Sequence, residues 1–351
     1  MKAILLAGGK GTRLRPLTLH TPKPIVPIFD RPFLSYQIGL LKQVPEIDEV
    51  ILSLNYQPRR LEEAFGDGST LGMRLRYVVE PSPLGTGGAI KYAAKGLDDT
   101  IVVFNGDVMT AVDVAAVVAQ HRERKAKATI VLTPVDNPSA YGLVETDGDG
   151  NVRRFLEKPS PDEITCDTIN AGIYVLEPET FDRIPKDTPY SIERGYFPSL
   201  VERNETFIAW IERGYWIDIG TPEKYRDVHR DIFAGRCPLG PAGIAGGAPV
   251  VAPDARIEDG AVLEGPCFID AGVVVKTGAR IGPNTVLGRS VLVEEGATIE
   301  GAIVWPNARI GRDATVGAAL IGRSCYIGKN AEVSASAILG DKTTLSDFTR
   351  A

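Results

Sequence analysis

Apolar and polar positions follow two different periods along this 351-residue chain. Up to about residue 232, short apolar runs alternate with amphipathic stretches. Lys2–Ala7, Glu49–Leu54, Arg74–Val79, Thr100–Asn105, Ala128–Pro134, Val152–Glu157 and Asn170–Leu176 have the length and composition of strands. Phe33–Val44, Pro58–Phe65, Gly88–Lys95, Val112–Lys125 and Ile192–Arg203 carry helical spacing between them. This alternation predicts an α/β domain over residues 1–232, a mostly parallel sheet with helices on both faces. Ligands of such sheets bind beyond the C-terminal strand ends. The glycines after the first strand and Gly106-Asp107 after Thr100–Asn105 occupy that position.

A Gly-, Pro- and Ala-rich connector follows at 233–249, and then the period changes. Aliphatic residues return at every sixth position: Val251, Ile257, Leu263, Ile269, Val275, Ile281, Leu287, Val293 and Ile299. The frame slips by one to Val304, Ile310 and Val316, and again to Ile321, Ile327, Val333 and Leu339. Neither an α-helix nor a flat strand repeats every six residues. A hexapeptide β-helix does, with one inward aliphatic per face of a triangular coil. Residues 250–340 therefore resemble the left-handed parallel β-helix of hexapeptide-repeat proteins, with 341–351 left as a C-terminal tail. Many of those proteins are acyltransferases with a histidine base. The three histidines here, His20, His121 and His229, all lie outside the repeat, so the β-helix reads as a structural and oligomerisation element.

Composition narrows the function. A net charge of -6 argues against general nucleic-acid affinity. The four cysteines, Cys166, Cys237, Cys267 and Cys325, form no C-x-x-C pair, which disfavours zinc and a disulfide framework and suits a reducing cytoplasm. No apolar run approaches a membrane span or a secretory signal, so no membrane partner is expected.

Positive charge is concentrated in LLAGGKGTRLRPLTLHTPKP, Leu5–Pro24. It is not a P-loop: counting from Gly8, Arg13 and Leu14 stand where Gly-Lys is required. Nor is it a dinucleotide fingerprint, because Leu14 replaces the third glycine counted from Gly9. With TPKP (Thr21–Pro24), PLGTGGA (Pro83–Ala89), NGD (Asn105–Asp107), YGLV (Tyr141–Val144), FLEKP (Phe155–Pro159), INAGIYV (Ile169–Val175) and WIDIGTPEKY (Trp216–Tyr225), it forms an ordered set. That set resembles the sugar-1-phosphate nucleotidylyltransferases across the whole first domain. The appended hexapeptide helix is most similar to that of the mannose-1-phosphate guanylyltransferase branch. The resemblance implies a Rossmann-like, GT-A-like fold and a reaction joining a nucleoside triphosphate to a sugar 1-phosphate with release of pyrophosphate.

Both reactants are polyanions, so catalysis is largely positioning and charge neutralisation. The resemblance implies that Leu6, Ala7, Gly8, Gly9, Gly11, Thr12, Arg13, Pro83, Gly85, Thr86 and Asp107 bind the nucleotide. Glycine admits close backbone approach to phosphate. Arg13 is expected to stabilise the leaving pyrophosphate, and Lys23 to reach the α-phosphate or the sugar phosphate. Lys158 is expected to hold the sugar phosphate, and Gly142, Glu157, Asn170 and Gly172 the sugar ring. Asp107 and Asp218 are the expected ligands of Mg²⁺, a hard cation that prefers carboxylate and phosphate oxygens. Plainer readings stand beside these: Arg13 as an exposed cation, Asp107 as a helix cap, Lys158 as a solvated strand end. Asp218 lies in the apolar run Trp216–Ile219 and calls for a partner, either metal or base.

The base is read near Glu80. Relatives that use thymidine or uridine triphosphates commonly carry glutamine there, whose amide both donates and accepts. A carboxylate only accepts, which suits the adjacent N1–H and N2–H donors of guanine. GTP with mannose 1-phosphate is thus the leading expectation. Thymidylyl or uridylyl transfer to glucose 1-phosphate, guanylyl transfer to a heptose 1-phosphate, and a non-catalytic regulatory paralogue are the rivals.

Overall fold

The computed structural model describes residues 1–351. The chain builds two compact units: Met1–Gly9 with Leu34–Trp216, and Lys10–Phe33 with Ile217–Ala351.

The first unit is organised on a nine-stranded sheet. In chain order its strands are β1 (Lys2–Leu6), β2 (Glu49–Leu54), β3 (Arg74–Val79), β4 (Ile101–Asn105), β5 (Ala128–Pro134), β6 (Gly142–Thr146), β7 (Val152–Glu157), β8 (Thr168–Leu176) and β9 (Phe207–Ile211). They are arranged β7-β6-β8-β4-β1-β2-β3, with β5 also paired to β8 and β9 to β5. The centre is parallel, Leu5 facing Leu52 on one side and Phe104 on the other. From β8 outward the sheet is mixed, since β8 runs antiparallel to β4, β5 and β6. The central strands read as unbroken apolar runs because both of their faces are covered: Ile4, Leu5, Ile51, Leu52, Val103 and Phe104 are all fully buried.

Five helices belong to this unit: α1 (Leu34–Leu41), α2 (Pro58–Phe65), α3 (Gly85–Ala93), α4 (Val114–Glu123) and α5 (Phe197–Glu202). α3 begins at Gly85, earlier than the helical pattern from Gly88 suggests. Its glycines let it touch a neighbouring segment. A Cβ on Gly85 would lie 2.8 Å from the Tyr190 carbonyl oxygen, and one on Gly88 would lie 3.0 Å from that of Thr188. Strands β6 and β9 are absent from the periodic reading, β6 because it opens on a glycine that reads as a turn.

In the second unit, strands from Val250–Val251 to Thr344–Leu345 form three parallel sheets of six, six and five strands. This is the left-handed hexapeptide β-helix. Each strand pairs with the third one after it, so Val251 faces Ile269, Ile257 faces Val275 and Leu263 faces Ile281. The inward aliphatics stack as the repeat predicts, with Ile269, Leu287, Val304 and Ile321 forming one buried column. Where the frame slips, the coil simply loses a turn residue and the stack is kept. One sequence boundary shifts. The coils run on through Thr344–Leu345, with Glu332 bridged to Arg350, so residues 341–351 are repeat rather than tail. The segment Lys10–Phe33 and helix α6 (Pro222–Phe233) pack with the β-helix.

Candidate active site

The first unit brings together the end of β1, the Gly106-Asp107 turn, the β3–α3 loop and the β6–β8 edge. Ala7 N–H donates to the Ser53 carbonyl at 2.9 Å, and Gly106 N–H donates to the Leu6 carbonyl at 3.1 Å. A Cβ on Gly106 would sit only 2.4 Å from Leu6 O, which excludes a side chain there, and one on Gly8 would be tight at 3.0 Å from Asn55 N. Asp107 does not cap the next helix: Asp113 does, accepting from Ala116 N–H at 3.0 Å. The turn holding Asp107 is instead fixed by Gln37 of α1, 1% exposed, whose amide donates to Asn105 O (2.9 Å) and Val108 O (2.8 Å). Nothing in the motif set singles out Gln37, since on a helix it reads as one polar residue among apolar ones.

Glu80 directly follows β3, with its carboxylate turned toward Ser53 and Leu84. One oxygen accepts from Leu84 N–H at 2.9 Å and the other from the Ser53 hydroxyl at 3.3 Å. The loop through Pro83 is thereby closed, and each oxygen keeps a further acceptor position. Thr86 donates to Glu193 at 2.7 Å and accepts from Ile192 N–H at 2.9 Å. Glu193 lies in a π-helical turn, Ile192–Tyr196, and also accepts from Ser191 at 2.6 Å. It too escaped the motif reading, because its partner Thr86 lies 107 residues away.

At the sheet edge, Gly142 leaves space for Phe155 and Glu157: a Cβ there would be 2.7 Å from the Phe155 ring and 3.1 Å from Glu157 Oε2. Burial, and then the charge of Glu193, push the Glu157 carboxyl above the usual carboxylate range. Lys158 is exposed, adopts φ 55° and donates its N–H to Tyr141 O at 3.0 Å. Asn170 accepts from Gly172 N–H at 2.9 Å and donates to the Tyr174 hydroxyl at 2.9 Å. These bonds lie where the β5–β8 register shifts, between Asn170 and Tyr174. Gly172, at φ 75°, abuts the Asn105 side chain. Tyr141 and Trp216 pack edge to face with ring centres 5.7 Å apart, and the Trp216 indole N–H donates to Ala171 O at 2.9 Å.

The second unit holds Gly11, Thr12, Arg13, Lys23 and Asp218. Gly11 is left-handed at φ 60°, and its carbonyl accepts from the Thr18 hydroxyl at 2.7 Å. A Cβ on it would approach Lys23 Cβ at 3.1 Å, so the glycine lets the two ends of the loop meet. Lys23 is only 8% exposed, whereas Arg13 is open to solvent. Gly220 lies between the Arg13 guanidinium and the Asp218 carboxylate; its Cβ would fall 2.8 Å from Arg13 Nη2 and 2.7 Å from Asp218 Oδ2. Asp218 also accepts from Lys224 Nζ.

Residues 2–235 match the family model described as nucleotidyl transferase, and residues 263–350 match the one described as GMPPB C-terminal domain. The chain belongs to the nucleotidyl transferase family. A mannose-1-phosphate guanylyltransferase from Mycobacterium tuberculosis is 41% identical over 305 residues, covering 85% of this chain and 82% of its own length. A UTP–glucose-1-phosphate uridylyltransferase from Synechocystis is 32% identical over 90% of this chain and 85% of its own. Among solved structures, HddC from Yersinia pseudotuberculosis complexed with GMP-PN superposes with a TM-score of 0.56 at 30% identity, covering 66% of this chain and 99% of its own. This nucleotidyltransferase thus pairs the family's α/β architecture with a hexapeptide β-helix.

Proposed function

We propose that this enzyme transfers GMP from GTP to mannose 1-phosphate, forming GDP-mannose and releasing pyrophosphate. A phosphate oxygen of the sugar phosphate attacks the α-phosphorus, and the bond to the bridging oxygen of the β-phosphate breaks as pyrophosphate departs with the electron pair. The observation that carries the reading is the similarity to a mannose-1-phosphate guanylyltransferase across both units.

Within it, the amides of Gly8, Gly9, Gly11 and Thr12 hold phosphate, Arg13 faces the leaving group, and Lys23 and Lys158 hold the attacking phosphate. Glu157 and Asn170 bind sugar hydroxyls, and the free acceptor positions of Glu80 meet the guanine edge. Asp107 and Asp218 are the proposed Mg²⁺ ligands. No three His, Cys, Asp or Glu side chains are placed together so as to hold a metal ion by themselves. Mg²⁺ is commonly held by one or two carboxylates and otherwise by phosphate oxygens and water. When bound, Mg²⁺ supplies charge neutralisation on the phosphates. The β-helix is the proposed self-association surface. No helix is long and apolar enough to cross a membrane, and a cytoplasmic enzyme is the reading we adopt.

The similarity to a uridylyltransferase supports a second reading, uridylyl transfer to glucose 1-phosphate. A panel of GTP, UTP, dTTP and ATP against mannose, glucose and heptose 1-phosphates, read by pyrophosphate release, separates them. GTP with mannose 1-phosphate is expected to lead, with activity lost to a chelator and restored by Mg²⁺. Equal use of UTP would overturn the base assignment, and turnover in chelator would overturn the metal.

A further inference from the structure

We propose that Asp341, on the β-helix, is a positioning residue for nucleotidyl transfer: it clamps Thr21 and thereby sets the loop that carries Arg13 and Lys23. The inference rests on the reaction assigned above and extends it to a coil with no catalytic motif.

The loop Lys10–Phe33 clusters with the β-helix. Its only helical elements are three short 3₁₀ turns, Thr12–Leu14, Leu17–Leu19 and Lys23–Ile25. A segment so poor in regular hydrogen bonding takes its shape from what it packs on. Three seats along one flank of the β-helix supply that shape. Phe29 packs edge-on against Phe268, ring centres 5.4 Å apart. The Tyr225 hydroxyl donates to Pro27 O and accepts from the Trp305 indole N–H at 2.9 Å. The third seat is at Gly340-Asp341. A Cβ on Gly340 would fall 3.1 Å from Pro16 Cβ and 3.2 Å from Pro16 O, so the glycine eases the close approach of the loop there. Beside it, the Thr21 hydroxyl donates to Asp341 Oδ2 at 2.8 Å.

Asp341 is itself held rigidly. Its other oxygen accepts from Arg323 N–H of the preceding coil at 2.8 Å. Thr21, 4% exposed, connects this fixed carboxylate to the chain two residues before Lys23. Lys23 in turn abuts Gly11, whose carbonyl is tied to Thr18. The contacts therefore run from Asp341 through Thr21 to the meeting point of Gly11 and Lys23. A bond that served attachment alone would sit anywhere on the loop. This one sits between the turn that carries Arg13 and the turn that carries Lys23.

The test compares Asp341→Ala, Asp341→Asn, Thr21→Val and the Asp341→Ala/Thr21→Val double variant in the full chain. Asp341→Ala is expected to lower kcat by about tenfold or more, with KM for the nucleoside triphosphate within about threefold and a native circular-dichroism spectrum below a somewhat lowered melting temperature, since misplacing a positioned group costs rate rather than uniform binding and the Thr21 hydroxyl and Arg323 N–H lose their acceptor. Asp341→Asn is expected to retain most of the rate, because its amide oxygen accepts from Arg323 N–H while its NH₂ donates to Thr21 Oγ1. Thr21→Val is expected to match Asp341→Ala, and the double variant to be no worse than either. Should Asp341→Ala not fold, Thr21→Val decides. Wild-type kcat in the folded single variants, or losses that multiply in the double, overturns the clamp. A wild-type enzyme that turns over no substrate pair overturns the reaction instead. Hydrogen exchange then still decides the clamp: faster exchange at Leu14, Arg15, Ile25 and Val26 in Thr21→Val supports it, and unchanged exchange overturns it.

Discussion

Gln37 shows how a single buried side chain supports the Asp107 turn. Its amide satisfies the carbonyls on either side of Gly106-Asp107 from within α1. Gln37→Leu would strand both, at about 1–3 kcal/mol for each unpaired buried carbonyl. The expected outcome is a lower melting temperature together with a lower kcat, measured by circular dichroism and pyrophosphate release. A variant that melts earlier but turns over normally would show that the Asp107 turn needs no such support. At this scale the sequence was legible where chemistry is short-range. Gly106 stands where a side chain is excluded and Gly8 where one would be tight, and Asp218, which calls for a partner in its apolar run, accepts from Lys224. It was silent where partners are distant: Gln37 reaches past Asn105, and Glu193 reaches Thr86.

Among the elements, α6 has the plainest physical signature. Pro222 follows the cap Thr221, and Tyr225, Val228, His229, Ile232 and Phe233 are buried along one face. His229 is buried among Phe29, Phe233 and Tyr225. Its Nδ1 lies 2.8 Å from Tyr225 O and its Nε2 faces Phe29 N–H, which fixes the neutral tautomer with the proton on Nδ1. Burial pushes its pKa down to about 4 from 6.5. The native state thus refuses a proton that the unfolded chain accepts, so the stability it contributes is full above pH 6.5 and falls as the pH drops toward 4. The loss amounts to about 3 kcal/mol across that window. Melting temperatures between pH 7.5 and 4.5 should fall less steeply in His229→Gln; parallel curves would rule out His229 as the group that titrates. The α/β elements were legible because burial on both faces leaves near-continuous apolar strands. β6 was missed, and the start of α3 misplaced, because Gly142, Gly85, Gly87 and Gly88 read as breaks but serve close packing.

At the scale of the whole molecule, the hexapeptide period fixed nearly every coil, since each inward aliphatic ends its own short strand. What the period could not reveal is allegiance: Lys10–Phe33 is written with the nucleotide motifs yet packs with the β-helix. Apolar side chains remain exposed on the coils, with Val251 and Val262 each 38% exposed and Phe348 70%. Self-association through the β-helix is expected to give a solution mass that is a multiple of 37.8 kDa by light scattering. A single 37.8 kDa species at working concentration would refute it.

The three seats of the loop are spread along the β-helix, at Phe268, Trp305 and Asp341. Phe268 and Asp341 stand at opposite ends of a ladder whose rungs are Phe268, Val286, Ile303, Leu320 and Ile338. With rungs about 4.8 Å apart, the span is roughly 19 Å. The β-helix therefore works as a ruler for residues 16–29. A coil could be added or removed beyond either end without harm to the stack, but not between the marks. The number of repeats in that interval and the reach of residues 16–29 must therefore match.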